Sequence, residues 1–84
     1  MEKVLKFYAT WCQPCKALSK TIEEAGDLGI EIESIDVDQE PELARRYNVR
    51  SVPTMIVLDE EGHALRYQTG SMNLKQLKSF VDNS

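Results

Sequence analysis

The chain has 84 residues, two cysteines, one histidine and a formal net charge of −4. That length implies a single domain over residues 1–84, since a domain usually takes about 100–200 residues, and a core of modest size. Two cysteines are too few for a disulfide-dense secreted scaffold or, even with His63, for a four-ligand zinc site, and the acidic balance with no stripe of Lys or Arg excludes nucleic acid as a partner.

Lys3 to Tyr8 (KVLKFY) is short and rich in β-branched and aromatic types, and reads as a strand. From Cys15 the apolar positions Cys15, Leu18, Ile22 and Ala25 mark one face of a helix. Pro14 is tolerated in its first turn, and Gly26 or Gly29 ends it. Ile30 to Val37 (IEIESIDV) forms a second strand whose alternation changes phase at Ser34. Glu40-Pro41 opens a short helix with Leu43, Ala44 and Tyr47 facing inward, and Asn48 is a left-handed stop. Thr54 to Leu58 (TMIVL) reads as a buried strand, Asp59-Glu60-Glu61-Gly62 as a hairpin turn, and Ala64 to Thr69 as the returning strand. Asn73 and Gln76 have capping-box spacing ahead of Leu74, Leu77, Phe80 and Val81, which gives the last helix. The order β-α-β-α-β-β-α implies an α/β fold with a four-stranded mixed sheet and three helices, its first βαβ unit parallel and its hairpin antiparallel.

No run approaches the roughly 20 apolar residues of a membrane span, so no membrane partner is expected. Met1-Glu2-Lys3 leads straight into Val4-Leu5 without an apolar stretch of signal length. The expected location is therefore cytoplasmic, a reducing compartment where closely spaced cysteines are catalytic or metal-binding rather than structural. Nine carboxylates lie between Thr21 and Ala44 (Glu23, Glu24, Asp27, Glu31, Glu33, Asp36, Asp38, Glu40 and Glu42) with no Lys or Arg among them. They read as a solvated flank that aids solubility or as a surface that steers basic partners.

Trp11-Cys12-Gln13-Pro14-Cys15 lies between the first strand and the first helix. Three-residue separation at a helix start brings two sulfurs within bonding reach. The helix N-terminus carries about half a unit of positive charge and unpaired N–H groups, so a thiolate there is stabilised and reactive at neutral pH. Cys12 is expected to be exposed at that end, and Cys15, one turn in beside Leu18, to be sheltered. This asymmetry suggests that Cys12 attacks a target disulfide and Cys15 resolves the mixed disulfide. Other readings of the pair are two small buried hydrophobes, or half of a metal site completed by a second copy of the chain.

The motif Trp-Cys-x-Pro-Cys-Lys after a Phe7-Tyr8-Ala9 strand end resembles the thioredoxin family. Asp36 to Pro41, Tyr47 to Thr54, Gly62 and Gly70 continue the resemblance over nearly the whole chain, which lacks the extra N-terminal strand and helix of full-length members. The resemblance implies a thioredoxin-like fold and a monomeric protein disulfide reductase. It would need no cofactor beyond its cysteines and no metal, and would be served by a thioredoxin reductase or a similar electron donor. Cys12 would attack and Cys15 resolve. Pro53 would be cis, and Trp11, Val52, Pro53, Thr54, Gly70 and Ser71 would bind the disulfide-containing protein substrate, with the backbone at Val52 pairing with it as an added strand.

Two departures stand out. Thioredoxins usually carry a buried aspartate six residues before the attacking cysteine, which assists proton removal from the resolving one; here that position is Lys6. Lys6 would favour thiolates by Coulomb attraction, or else snorkel to the surface or pair with an acid such as Glu33. The second departure is size: the length, layout and Val52-Pro53 also resemble the glutaredoxins, so the alternative is a reductase using glutathione. Cys-Gln-Pro-Cys and Gly70-Ser71-Met72-Asn73, however, lack the glutaredoxin pattern. A redox-inactive interaction module and a metal carrier are the remaining alternatives. His63, beside Gly62 in a turn, is given no role.

Overall fold

The computed structural model describes residues 2–82. Seven elements follow in chain order: β1 (Lys3–Tyr8), α1 (Gln13–Ala25), β2 (Glu31–Asp36), α2 (Pro41–Arg46), β3 (Thr54–Leu58), β4 (Ala64–Thr69) and α3 (Leu74–Asp82). They form one four-stranded sheet in the order β2-β1-β3-β4. β1 runs parallel to β2 and antiparallel to β3, and β3 and β4 form the antiparallel hairpin. The expected α/β architecture and element order are present.

Strand alternation assigns each residue of the central strands to one of two cores. Val4, Met55 and Val57 pack with Leu18 of α1 and Leu77 of α3, with Ile22, Ala25 and Phe80 against them. Leu5, Phe7, Ile56 and Leu58 pack on the other face with Ala44 of α2, and with Leu43, Tyr47 and Val49. Helices α1 and α3 therefore cover one face of the sheet and α2 covers the other. This explains the phase change in β2. Ile32 joins the α1/α3 side and Ile35 the α2 side, so the two isoleucines serve different cores across an unbroken register from Glu31 to Asp36.

Element ends follow local chemistry. Helix α1 stops where Gly26 takes φ +69°, a left-handed conformation that glycine adopts without steric cost, and its N–H donates to the Glu23 carbonyl at 3.2 Å. Asn48, at φ +58°, is the left-handed residue after α2. The capping box of α3 is complete: the Gln76 N–H donates to Asn73 Oδ1 (2.8 Å) and the Asn73 N–H to Gln76 Oε1 (2.9 Å). In the β3–β4 turn, Asp59 Oδ1 accepts from the N–H groups of Glu61 and His63, each at 2.9 Å.

Two consequences can be measured. Asn73→Ala removes one cap acceptor and exposes the start of α3, and should cost about 1 kcal/mol in urea unfolding. The His63 N–H holds the Asp59 carboxyl below its ordinary value of 3.8. A depressed folded-state value means that the carboxylate's contribution is present above the unfolded value and is lost as pH falls through the folded one. The Asp59 carboxyl carbon shift should accordingly titrate with its midpoint below 3.8, and the protection of the His63 amide, taken relative to intrinsic exchange, should fall in step.

Candidate active site

The site is built where β1 ends and α1 begins. The Cys12 N–H donates back to the Ala9 carbonyl (3.2 Å), closing the turn that follows Tyr8. Cys12 is the N-cap of α1, with an extended backbone, and its Sγ accepts the Cys15 N–H at 3.1 Å. The Lys16 N–H then makes the first intrahelical bond, to the Cys12 carbonyl. Pro14 lies in the first turn, where its missing N–H costs nothing. Cys12 and Cys15 are joined as a disulfide with Cα atoms 5.2 Å apart. The same sulfur therefore caps the helix and carries the redox bond.

The expected contrast in exposure is corrected. Cys12 is 4% exposed and Cys15 3%, so both are sheltered. The cap and the cross-link fold Cys12 Sγ over the first turn, and Ala9, Tyr8, Val37 and Val52 pack around the pair. What is exposed is the neighbour: Trp11 is 67% open to solvent, so it is not a core residue. Its Nε1 donates to Asp38 Oδ2 at 3.0 Å, which ties the loop before α1 to the loop after β2.

Trp11 and Val52 line a shallow apolar recess of about 220 Å³ together with Val37, Val49, Arg50 and Ser51. The Val52–Pro53 bond is cis. No hydrogen bond to the Val52 N–H or C=O occurs among the described residues, whereas the Pro53 carbonyl accepts from the Gly70 N–H at 2.9 Å. Pro53 and Thr54 are buried, and the Thr54 hydroxyl donates to the Ser51 carbonyl at 2.8 Å. Thr54 also belongs to the sheet, where it pairs with Thr69. Gly70, at φ +86°, and the exposed Ser71 follow β4 and lie outside the recess. Nothing stands within 4 Å of a Cβ placed on Gly70, so its requirement is conformational rather than spatial.

Lys6 is on the face of β1 that carries Val4, beneath α1. Its Nζ donates to Ser19 Oγ at 2.7 Å and lies 5.6 Å from the centre of the Tyr8 ring. Burial pushes its pKa below the ordinary 10.5. The pairing with Glu33 is not made. Glu33 is on the opposite face, where Lys3 takes it at 2.7 Å; that bond raises the Lys3 pKa. Sequence reasoning missed Val49, Arg50, Ser51, Asp38 and Ser19. Val49 to Ser51 lay inside the segment singled out before Pro53. Ser19 was signalled by its place four residues after Cys15 on one helix. Asp38 could be found only by folding.

The sequence matches the thioredoxin family model over residues 1–83. It is 44% identical over 83 residues to a thioredoxin of Staphylococcus epidermidis, an alignment covering 95% of this chain and 79% of that one. A thioredoxin-like protein of Synechocystis is 34% identical over 77 residues, covering 88% and 72%. Among solved structures, a thioredoxin variant from Halobacterium salinarum superposes with a TM-score of 0.88 at 31% identity, covering 98% of this chain and 73% of that one. Thioredoxin-2 of the malaria parasite gives 0.89 at 28% identity, covering 100% and 84%. With the cysteine pair at disulfide distance on the first helix of this fold, the chain belongs to the thioredoxin family and is a thiol–disulfide oxidoreductase.

Proposed function

We propose that the chain works in the reducing direction, on disulfides in other proteins, as a cytoplasmic monomer with no cofactor beyond Cys12 and Cys15. Its electrons come from a thioredoxin reductase or a similar donor. The observation that carries the exchange chemistry is the Cys15 N–H donated to Cys12 Sγ at the start of α1, and the reducing direction rests on the likeness to the thioredoxins. In the reduced protein that N–H and the positive end of the helix stabilise a Cys12 thiolate.

The reaction then runs in two exchanges. Cys12 Sγ attacks one sulfur of the target disulfide, a Cys12–target bond forms, and the other target sulfur leaves as a thiolate. Cys15 Sγ attacks Cys12 Sγ, closing the Cys12–Cys15 disulfide and releasing the second target thiolate. Two electrons have passed to the target, and the donor returns the chain to its dithiol form. Trp11 and Val52 offer the target an apolar seat, and the unpaired main chain of Val52 is suited to adding the target as a short strand. Glutathione is less well served. At the start of α3 the polar groups of Asn73 and Gln76 are spent on each other.

Cys15→Ser should accumulate a stable mixed disulfide with a protein substrate, visible as a mass adduct on Cys12. Turnover by this variant equal to that of the parent would overturn the order of attack. Given a choice of donors, the oxidised chain should be reduced faster by NADPH with a thioredoxin reductase than by millimolar glutathione. The opposite preference would assign it to glutathione chemistry.

A further inference from the structure

An open cavity of about 550 Å³ lies behind the redox pair, lined by Tyr8, Ala9, Cys15, Lys16, Ser19 and Lys20 among others. Cys15 and Ser19 are four residues apart on α1, so their side chains are neighbours on one helix face. Lys6 reaches Ser19 from the sheet below. An ammonium group has only donors, while a hydroxyl has one donor and two acceptor positions. The 2.7 Å contact therefore uses Ser19 Oγ as acceptor, and its hydrogen remains to be given. Among the described residues Ser19 makes no other hydrogen bond.

We propose that Lys6 and Ser19 are positioning residues for Cys15: the ammonium fixes Ser19 Oγ, and the Ser19 O–H donates toward the cavity and stabilises the Cys15 thiolate. The proposal rests on Cys15 being the resolving cysteine. It supplies what the resolving step needs in a chain with no acid at this point. The register neighbours of Lys6 are Ser34 on β2 and Met55 on β3, and Glu33 is held by Lys3 across the sheet. The other charged groups facing the cavity are Lys16, Lys20 and Glu23, all on α1, and the one further titratable group is Tyr8 on β1. The two lysines outnumber the carboxylate, but all three are solvent-exposed and screened. The half-buried Lys6 is screened less, and a donor bond to a charged sulfur is stronger than one between neutral groups.

In the mixed disulfide the Cys15 thiol gives its proton to solvent through the open cavity, and its thiolate accepts the Ser19 O–H. The thiolate attacks Cys12 Sγ, the Cys12–Cys15 bond forms, the Cys12–target bond breaks, and the target thiolate takes a proton from solvent. Lys6 stays an ammonium throughout and Ser19 keeps its proton.

The test is a site-resolved pH titration of both Cys Cβ shifts in the reduced full chain, for the parent, Ser19→Ala, Lys6→Gln, the double variant and Ser19→Thr. Ser19→Ala should raise the Cys15 thiol pKa by about one unit. Lys6→Gln should do the same, the double variant should add little to either single change, and Ser19→Thr should restore the parent value. A Cys15 titration unchanged in folded Ser19→Ala, or shifts that simply add in the double variant, would overturn the proposal. The measurement uses no substrate or donor, so a failure of the reductase reading would appear in turnover assays and leave this result standing.

Discussion

The contact from the Cys15 N–H to Cys12 Sγ sets the terms for the rest of the site. A helix that begins at the end of a central strand must satisfy its first N–H groups without a preceding turn. Here a sulfur supplies one acceptor, in the position where a serine or aspartate oxygen usually serves. The arrangement makes the reacting atom part of the fold. Moving Cys12 away would unpair an N–H at the positive end of α1, so the geometry that stabilises a thiolate and the geometry that starts the helix are the same. The Ala9 carbonyl, receiving the Cys12 N–H, anchors this turn to β1, and the sheet thereby determines where the sulfur sits.

Much of this was legible in the sequence because the elements are locally consistent. Lys3–Tyr8, Thr54–Leu58 and Ala64–Thr69 have the bounds that composition and turn residues suggested. Asn73 and Gln76 close the box that their spacing implied. These features depend on neighbours within a few residues. β2 was harder. Its change of phase looked like an irregularity, and only the covering of both faces shows Ile32 and Ile35 to be equally well placed.

The candidate site was legible in its chemistry and less so in its exposure. Trp11 and Val52 line one recess, and Val52 packs against the cysteine pair. The burial of Cys12 was not foreseeable from a helix start alone, since it comes from Val37 and Val52, residues 25 and 40 positions later, packing around the pair. Thr54 is buried through its strand pairing with Thr69, a contact between residues far apart in the chain. The partner of Lys6 depended on which side of the sheet it faces. Pleating gives Glu33 to Lys3 and leaves Lys6 to Ser19, a distinction that no count of charges along the chain contains.

The two-sided sheet also separates two kinds of property. The polar groups behind Cys15, Lys6 and Ser19, belong to the α1 side, whereas Val37, Val49 and Val52 of the recess pack against the α2 side. The two meet at the cysteine pair and at Tyr8 and Ala9 beside it. On the roles proposed above, substitutions on one side would alter how readily the thiols ionise, and substitutions on the other would alter which clients are accepted, with β1 and β3 between them. A fold partitioned in this way can diverge along two independent axes, acquiring new clientele at constant redox poise or a new poise for the same clientele.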